Sequence, residues 1–478
     1  MASTEPQSAF ADNTAPAPTT TSTPLPTTIV ILGGNLAGLG VLHTLARHTI
    51  PALQRIPSQP SLPQYKITLI TPNSHFFFKP ASPRALIQPD LLPGGEAKVF
   101  RDLSDSVKQY GELVTVVKAF ATDVDTAKKE VKIKHVDTNF SGDGMLVPPE
   151  SEGTPTVRYD ILIIATGTKA RSALWTMPGP GTEGLRAAED ATKREWEGIR
   201  TKLKNLQADT HPHHSVLIAG GGPVGVETAG EIASLLKAQG KTEGVTITLL
   251  SGSDRLLNRN CNESLGRKAE AYLKKNFGSL VEVSHGVKVV SVSDSVSGEG
   301  EQTETTVELS DGTTRAVGLY IDATGGSGNA DDFLPKTWLD ASSRVTTKDA
   351  FFRVRGSSEN DPQADGIYAV GDVVSGSDNT LISTNFQVPV VCSSIGADLA
   401  AKILGPDGQE NGMKLPAPLK QKTFKNKMAG TLLVPIGPGG GVGQVVGWGV
   451  PSFLVKVAKA KGFLVDMAEP AVTGSQWK

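Results

Sequence analysis

Residues His213–Ala233 read HHSVLIAGGGPVGVETAGEIA. Ser215–Ala219 is the apolar, β-branched run of a buried parallel strand. Gly220, Gly222 and Gly225 then fill the three positions of a G-x-G-x-x-G turn, and VETAGEIASLLKAQ continues with helical spacing. Strand, tight glycine turn and helix in that order let a backbone approach a pyrophosphate, whose charge rests on the N–H groups of the helix start. The next run, VTITLLSGSDRLL, supplies a second strand from Val245 to Leu250 and ends on Ser251, with Arg255 close behind. A carboxylate at that strand end would favour NAD by binding the ribose 2′-hydroxyl. Ser251 with Arg255 accommodates a 2′-phosphate instead, which tilts the reading towards NADPH while leaving NADH open. Arg255 reads equally well as a solvated turn residue.

Nearly two hundred residues earlier the chain carries a similar unit, TIVILGGNLAGLG from Thr28 to Gly40. Gly33, Gly34, Asn35, Leu36, Ala37 and Gly38 form the second expected pyrophosphate cradle. Asn35 stands where the middle glycine would be, and Asn tolerates left-handed backbone better than most residues. The following strand, Tyr65 to Thr71, ends on a hydroxyl, so a hydroxyl must substitute for the usual ribose carboxylate or that contact is lost.

Short punctuation links the two units. Ala165-Thr166-Gly167 ends the run YDILII, Ala323-Thr324-Gly325 ends GLYID, and Gly371-Asp372 ends DGIYAV. In the order GGNLAG, ATG, GGGPVG, ATG, GD, the chain resembles the flavoproteins with two dinucleotide folds. Within them it is most similar to the apoptosis-inducing-factor-like, ferroptosis-suppressor type of NAD(P)H quinone oxidoreductase, through HFFFKPASPRAL and the tail GTLLVPIGPGGGVGQVVGWGVPSFLVKVAKAKGFLV.

That resemblance implies FAD on the first loop, NADPH or NADH on the second, and hydride transfer between them. It implies that Arg84 lies beside the flavin, that the backbone of Ala121 contacts the adenine, and that Asp372 bonds the ribityl chain. It further implies that Glu227 lies near the flavin–nicotinamide contact and pairs with Arg84, both acting in catalysis. The acceptor implied is a quinone-like small molecule. A redox-sensing signalling protein, a ferredoxin reductase and a small-metabolite tailoring oxidase are the alternatives.

The fold expected is α/β, with two Rossmann-like dinucleotide-binding domains and a smaller α+β C-terminal domain. Residues 1–27 read as a disordered leader, 28–210 with 340–400 as a discontinuous FAD domain, 211–339 as the NAD(P) domain and 401–478 as the C-terminal domain. The 478 residues suit such a multidomain chain, and a formal net charge of -2 argues against a general nucleic-acid binder. Two distant cysteines, Cys261 and Cys392, form no dithiol motif, and the HPHH cluster at 211–214 lacks ligand spacing, so no metal is expected.

The leader has no Lys or Arg and no apolar centre, Ala2 excludes N-myristoylation, and no uninterrupted apolar run reaches the ~18 residues of a membrane span. A cytoplasmic location follows as the expectation. Pro451–Val465 sets Phe453, Leu454, Val457 and Phe463 beside Lys456, Lys459 and Lys461. It reads either as a basic amphipathic helix making peripheral membrane contact or as an ordinary surface helix packed by its apolar side.

Overall fold

The computed structural model describes residues 25–56, 64–136, 155–177, 188–206, 214–297, 302–410 and 414–477. One pattern occurs twice. Strand Thr27–Leu32 lies between Tyr65–Thr71 and Ile161–Ile164, all parallel, and Ile367–Ala369 adds to the far side of Ile161–Ile164. Strand Ser215–Ala219 likewise lies between Thr246–Ser251 and Leu319–Asp322, with Val281–His285 completing a four-stranded parallel sheet. The apolar runs are continuous because these central strands are covered on both faces; Ile29 to Leu32 and Val216 to Ala219 are all buried. The fold is α/β.

Each unit also carries a meander in a comparable place. In the first sheet the long strand Val114–Asp125 pairs in parallel with Tyr65–Thr71 through its first half. Its second half turns antiparallel to Glu130–His135, which in turn pairs with Thr156–Arg158. The switch carries a bulge between Ala121 and Asp123, where one extra residue re-aims the strand. In the second unit the sheet Val289–Ser297, Gln302–Leu309, Thr314–Val317 is antiparallel throughout, and its Val307, Leu309 and Val317 bury Leu217 and Leu250.

Helix Leu381–Glu410 packs against helix Leu36–Thr44 and runs past residue 400, where the sequence suggests a boundary; its geometry breaks at Gly405, φ +65°. By length and mean hydropathy Leu381–Gly405 could cross a membrane, but more than half of it is buried in the fold. Its Asn385, Gln387 and Asp398 interrupt the apolar run, and its Val388, Val391 and Ile395 are core residues.

The C-terminal segment ties the units together. Its antiparallel sheet, Leu432–Pro435, Gly441–Val445 and Trp448–Val450, rests on helix Pro223–Ala238. Gly230 permits this approach, because a Cβ there would lie 2.7 Å from the Cα of Ile436. Further on, the Val472 carbonyl meets His43 Nε2 at 2.9 Å, and Trp477 packs over Gly40 of the first unit.

Candidate functional site

The two glycine loops have nearly the same geometry. Gly33 and Gly220 hold φ of +109° and +122°, and in each case a Cβ would strike the carbonyl of the alanine that opens the adjacent Ala-Thr-Gly triplet, Ala165 or Ala323. A Cβ at Gly38 would fall on the Gly33 carbonyl oxygen, and one at Gly225 on that of Gly220. The strand ends are equivalent too: Gly34 lies over Thr71, and Gly221 over Ser251. The repeated triplets in the sequence therefore have a physical cause. Each is the strand end against which a glycine turn is packed.

Both turns open into one cleft of about 1280 Å³. Asn35, Leu36 and Ala37 line it from the first loop, and Gly220, Gly221 and Gly222 from the second. Thr166, Gly167, Thr324, Gly325, Gly371 and Asp372 lie along the walls, with Phe76 to Phe78 and the C-terminal Leu432, Leu433 and Leu464. Seven basic side chains line the cleft (Lys79, Lys169, Arg171, Arg259, Lys288, Arg344, Lys459) against three carboxylates (Glu227, Asp372, Asp378), an excess suited to pyrophosphates.

The family model described as "Pyridine nucleotide-disulphide oxidoreductase" matches residues 27–389. The chain belongs to this family. Among relatives of this pyridine nucleotide-disulphide oxidoreductase, the oxidoreductase phnG of Penicillium herquei is 29% identical over 94% of this chain and 96% of its own. Apoptosis-inducing factor 1 of Saccharomyces cerevisiae is 24% identical over 92% and 97%. The external alternative NAD(P)H-ubiquinone oxidoreductase B4 of Arabidopsis thaliana is 26% identical over 72% and 53%. The solved sulfide:quinone oxidoreductase of Aquifex aeolicus shares the fold, with a TM-score of 0.60 at 16% identity over 94% and 92%.

FAD and NADH or NADPH are the cofactors of the pyridine nucleotide-disulphide oxidoreductases, and the cleft residues fit such a pair. Gly222 has nothing within 4 Å of where a Cβ would stand, so the cleft is open at the second turn. Thr166, on the cleft wall, has its Oγ1 buried and without a hydrogen-bond partner. Asn35 takes the middle-glycine position by capping its own helix: Oδ1 accepts from the Leu36 N–H at 3.0 Å and Nδ2 donates to the Phe77 carbonyl at 3.0 Å.

Asp372 lines the wall where the resemblance puts a ribityl partner. Burial raises its carboxyl above the usual range, with Lys79 and Arg344 opposing. Lys79, whose ammonium burial pushes down, donates to the Thr168 carbonyl at 3.2 Å.

The expected Arg84–Glu227 pair does not form. Arg84 is 1% exposed and forks onto Glu231, with Nη2–Oε1 at 2.8 Å and Nε on Oε2, while Phe463 covers its guanidinium and Ala460 accepts a further bond. It does not line the cleft. Glu227 does line the cleft, and its partner is Lys459, with Nζ 2.6 Å from Oε1. One helical turn separates the two acids, so each cation takes one of them. Burial raises the Glu227 carboxyl to about 6, with Lys459 opposing.

Other expected residues also move. Thr71 is buried beneath the first loop; Ser251, though buried, lines the cleft as expected, and its hydroxyl donates to the Arg255 carbonyl at 2.8 Å. The Arg255 guanidinium turns to the Asn258 carbonyl at 3.4 Å and does not line the cleft, because the short turn folds its side chain back on itself. Ala121 sits at the bulge of Val114–Asp125 and does not line the cleft either. His211 to His213 lie outside the described residues; His214 bonds the Leu206 carbonyl at 2.8 Å.

Sequence reasoning missed Lys79, Glu231, Lys459 as an ion-pair partner, and Lys288. Lys79 had a signal: a single cation directly after the aromatic run His75–Phe78.

Proposed function

We propose that this oxidoreductase is an FAD-dependent enzyme that takes hydride from NAD(P)H and delivers the electrons to a quinone-like small acceptor, in the apoptosis-inducing-factor-like, ferroptosis-suppressor-type branch. One observation carries the reading: both glycine turns and an apolar C-terminal wall open on the same cleft. The naming of the Arabidopsis relative as an NAD(P)H-ubiquinone oxidoreductase supports the acceptor class. Bound FAD would supply the redox chemistry, accepting hydride from the nicotinamide and releasing electrons to the acceptor.

The chain supplies binding, orientation and charge. Gly33–Gly38 and Gly220–Gly225 hold the pyrophosphates on their helix starts. Lys79 offers positive charge in a dry wall, where it is worth far more than in water. Asp372 accepts a hydroxyl hydrogen bond. Leu432, Leu433 and Leu464 offer an apolar face to a ring-shaped acceptor, and the Glu227 carboxyl, near 6, can exchange a proton beside it. Steady-state turnover of NADPH and NADH against a panel of soluble quinones tests this. Many turnovers with a quinone support it; a single slow reduction followed by a persistent complex would favour the redox sensor instead.

We also propose that residues 446–457 dock on an anionic lipid surface. Trp448, Phe453 and Val457 are 81%, 64% and 75% exposed, and Val446 and Leu454 are exposed beside them. The stretch from 441 to 465 contains no acid and three lysines. Exposed aromatic and aliphatic groups with neighbouring lysines are the chemistry of interfacial binding. The helix face is split relative to the sequence expectation: Phe463 is buried and Lys459 points inward, so Phe453, Leu454 and Val457 carry the contact. Sedimentation with vesicles containing anionic lipid, lost on Phe453→Glu with Val457→Glu, supports the proposal. Vesicle-independent dimerisation through the same residues would overturn it.

A further inference from the structure

The nucleotide end of the second loop has an unusual electrostatic arrangement. The strand Thr246–Ser251 carries no carboxylate at its end, and the hydroxyls there are committed: Ser251 and Ser253 both donate to the Arg255 carbonyl, at 2.8 and 2.9 Å. Asp254 is exposed and does not line the cleft, and Glu270, beside the adjoining strand, is engaged by His285 at 3.2 Å. The three carboxylates that do line the cleft stand on other elements, Glu227 on its helix and Asp372 and Asp378 beyond the last strand of the first sheet. A ribose 2′-hydroxyl at this strand end would find no carboxylate acceptor.

A cation is built in at the same place. Lys288 lines the cleft, and its stem runs across Gly252, where a Cβ would lie 3.0 Å from Lys288 Cγ and 3.2 Å from Cε. The absence of a side chain at Gly252 is what gives the lysine this path. Its backbone is fixed from both sides by Ser310: the Lys288 N–H donates to Ser310 Oγ at 2.9 Å and the Ser310 N–H to the Lys288 carbonyl at 2.8 Å. The turn before it is tied to the strand end by a bond from the Gly286 N–H to the Ser253 carbonyl at 3.0 Å. Among the described residues Lys288 forms no ion pair.

We infer that Lys288, carried on the turn after Val281–His285 and laid over Gly252, is the 2′-phosphate site that makes this chain select NADPH over NADH. This rests on the reading of the second glycine loop as a nicotinamide dinucleotide site. It replaces Arg255 with a residue far along the sequence but adjacent in space. An exposed ammonium carried on a fixed backbone, with no ion-pair partner among the described residues, recognises a phosphate dianion as a point charge and gives little to a neutral hydroxyl.

Calorimetric titration of the FAD-loaded protein with adenosine 2′,5′-bisphosphate and with 5′-AMP tests it without turnover. The wild type should bind the bisphosphate at least about tenfold more tightly, and Lys288→Glu should remove that difference. Lys288→Arg should restore most of it. Equal affinities in the wild type, or an undiminished preference in Lys288→Glu, would overturn the inference alone. Failure of the wild type to bind either nucleotide would overturn the dinucleotide reading of the loop together with it.

Discussion

Lys459 Nζ lies 2.6 Å from Glu227 Oε1, joining the C-terminal segment to the helix that follows the second glycine turn. Both groups line the cleft, and the carboxylate is only 4% exposed. Burial raises the Glu227 carboxyl from 4.5 to about 6, so folding favours its protonated form. The folded state is therefore least penalised below pH 4.5, and stability falls as pH rises to about 6, by about 2 kcal/mol for this group. In Glu227→Gln that part of the slope should vanish. Denaturant unfolding of both proteins across this window measures it, and parallel curves would contradict the assignment.

The Arg84–Glu231 pair is a different case, because it is buried away from the cleft. Arg84→Met leaves Glu231 buried without its cation and should cost about 3–5 kcal/mol, whereas adding Glu231→Leu should recover most of that loss. Unfolding midpoints give both numbers. The flavin spectrum of the folded Arg84 variants should stay that of the wild type.

The glycines of the second turn separate steric roles. Gly222→Ala meets no protein atom within 4 Å, so it should leave thermal stability unchanged while weakening NADPH binding by a factor on the order of ten. Gly225→Ala drives its Cβ onto the Gly220 carbonyl and should destabilise the fold itself by about 3 kcal/mol or more. Melting curves and nucleotide titration together distinguish them.

Lys79 is the cation opposed to Asp372 across the first-loop end of the cleft. Lys79→Met removes positive charge from a desolvated wall. It should lower the midpoint potential of bound flavin and slow its reduction by NADPH on the order of tenfold or more. Dye-coupled potentiometry reads the potential directly, and an unchanged value would remove Lys79 from the electrostatics of the site.

Much of this molecule could be read along the chain, because its central strands and glycine turns are local. Thr28–Leu32 and Ser215–Ala219 declare themselves by β-branched runs, and the Ala-Thr-Gly triplets mark the neighbouring strand ends. The side-chain pairings were not legible in the same way. Arg84 meets Glu231 across 147 positions and Lys459 meets Glu227 across 232, and nothing in a spacing pattern chooses between two acids one helical turn apart. Arg255 was misplaced for a related reason: proximity in sequence to a strand end does not say which way a turn directs its side chain, whereas Lys288 lies over Gly252 from the turn after Val281–His285.

The central claim is that two nucleotides share one cleft so that hydride passes between them. Anaerobic rapid mixing of the FAD-loaded protein with NADPH tests it most directly. Flavin absorbance should bleach in a single turnover and return on adding a quinone. A flavin that stays oxidised with both NADPH and NADH would contradict it.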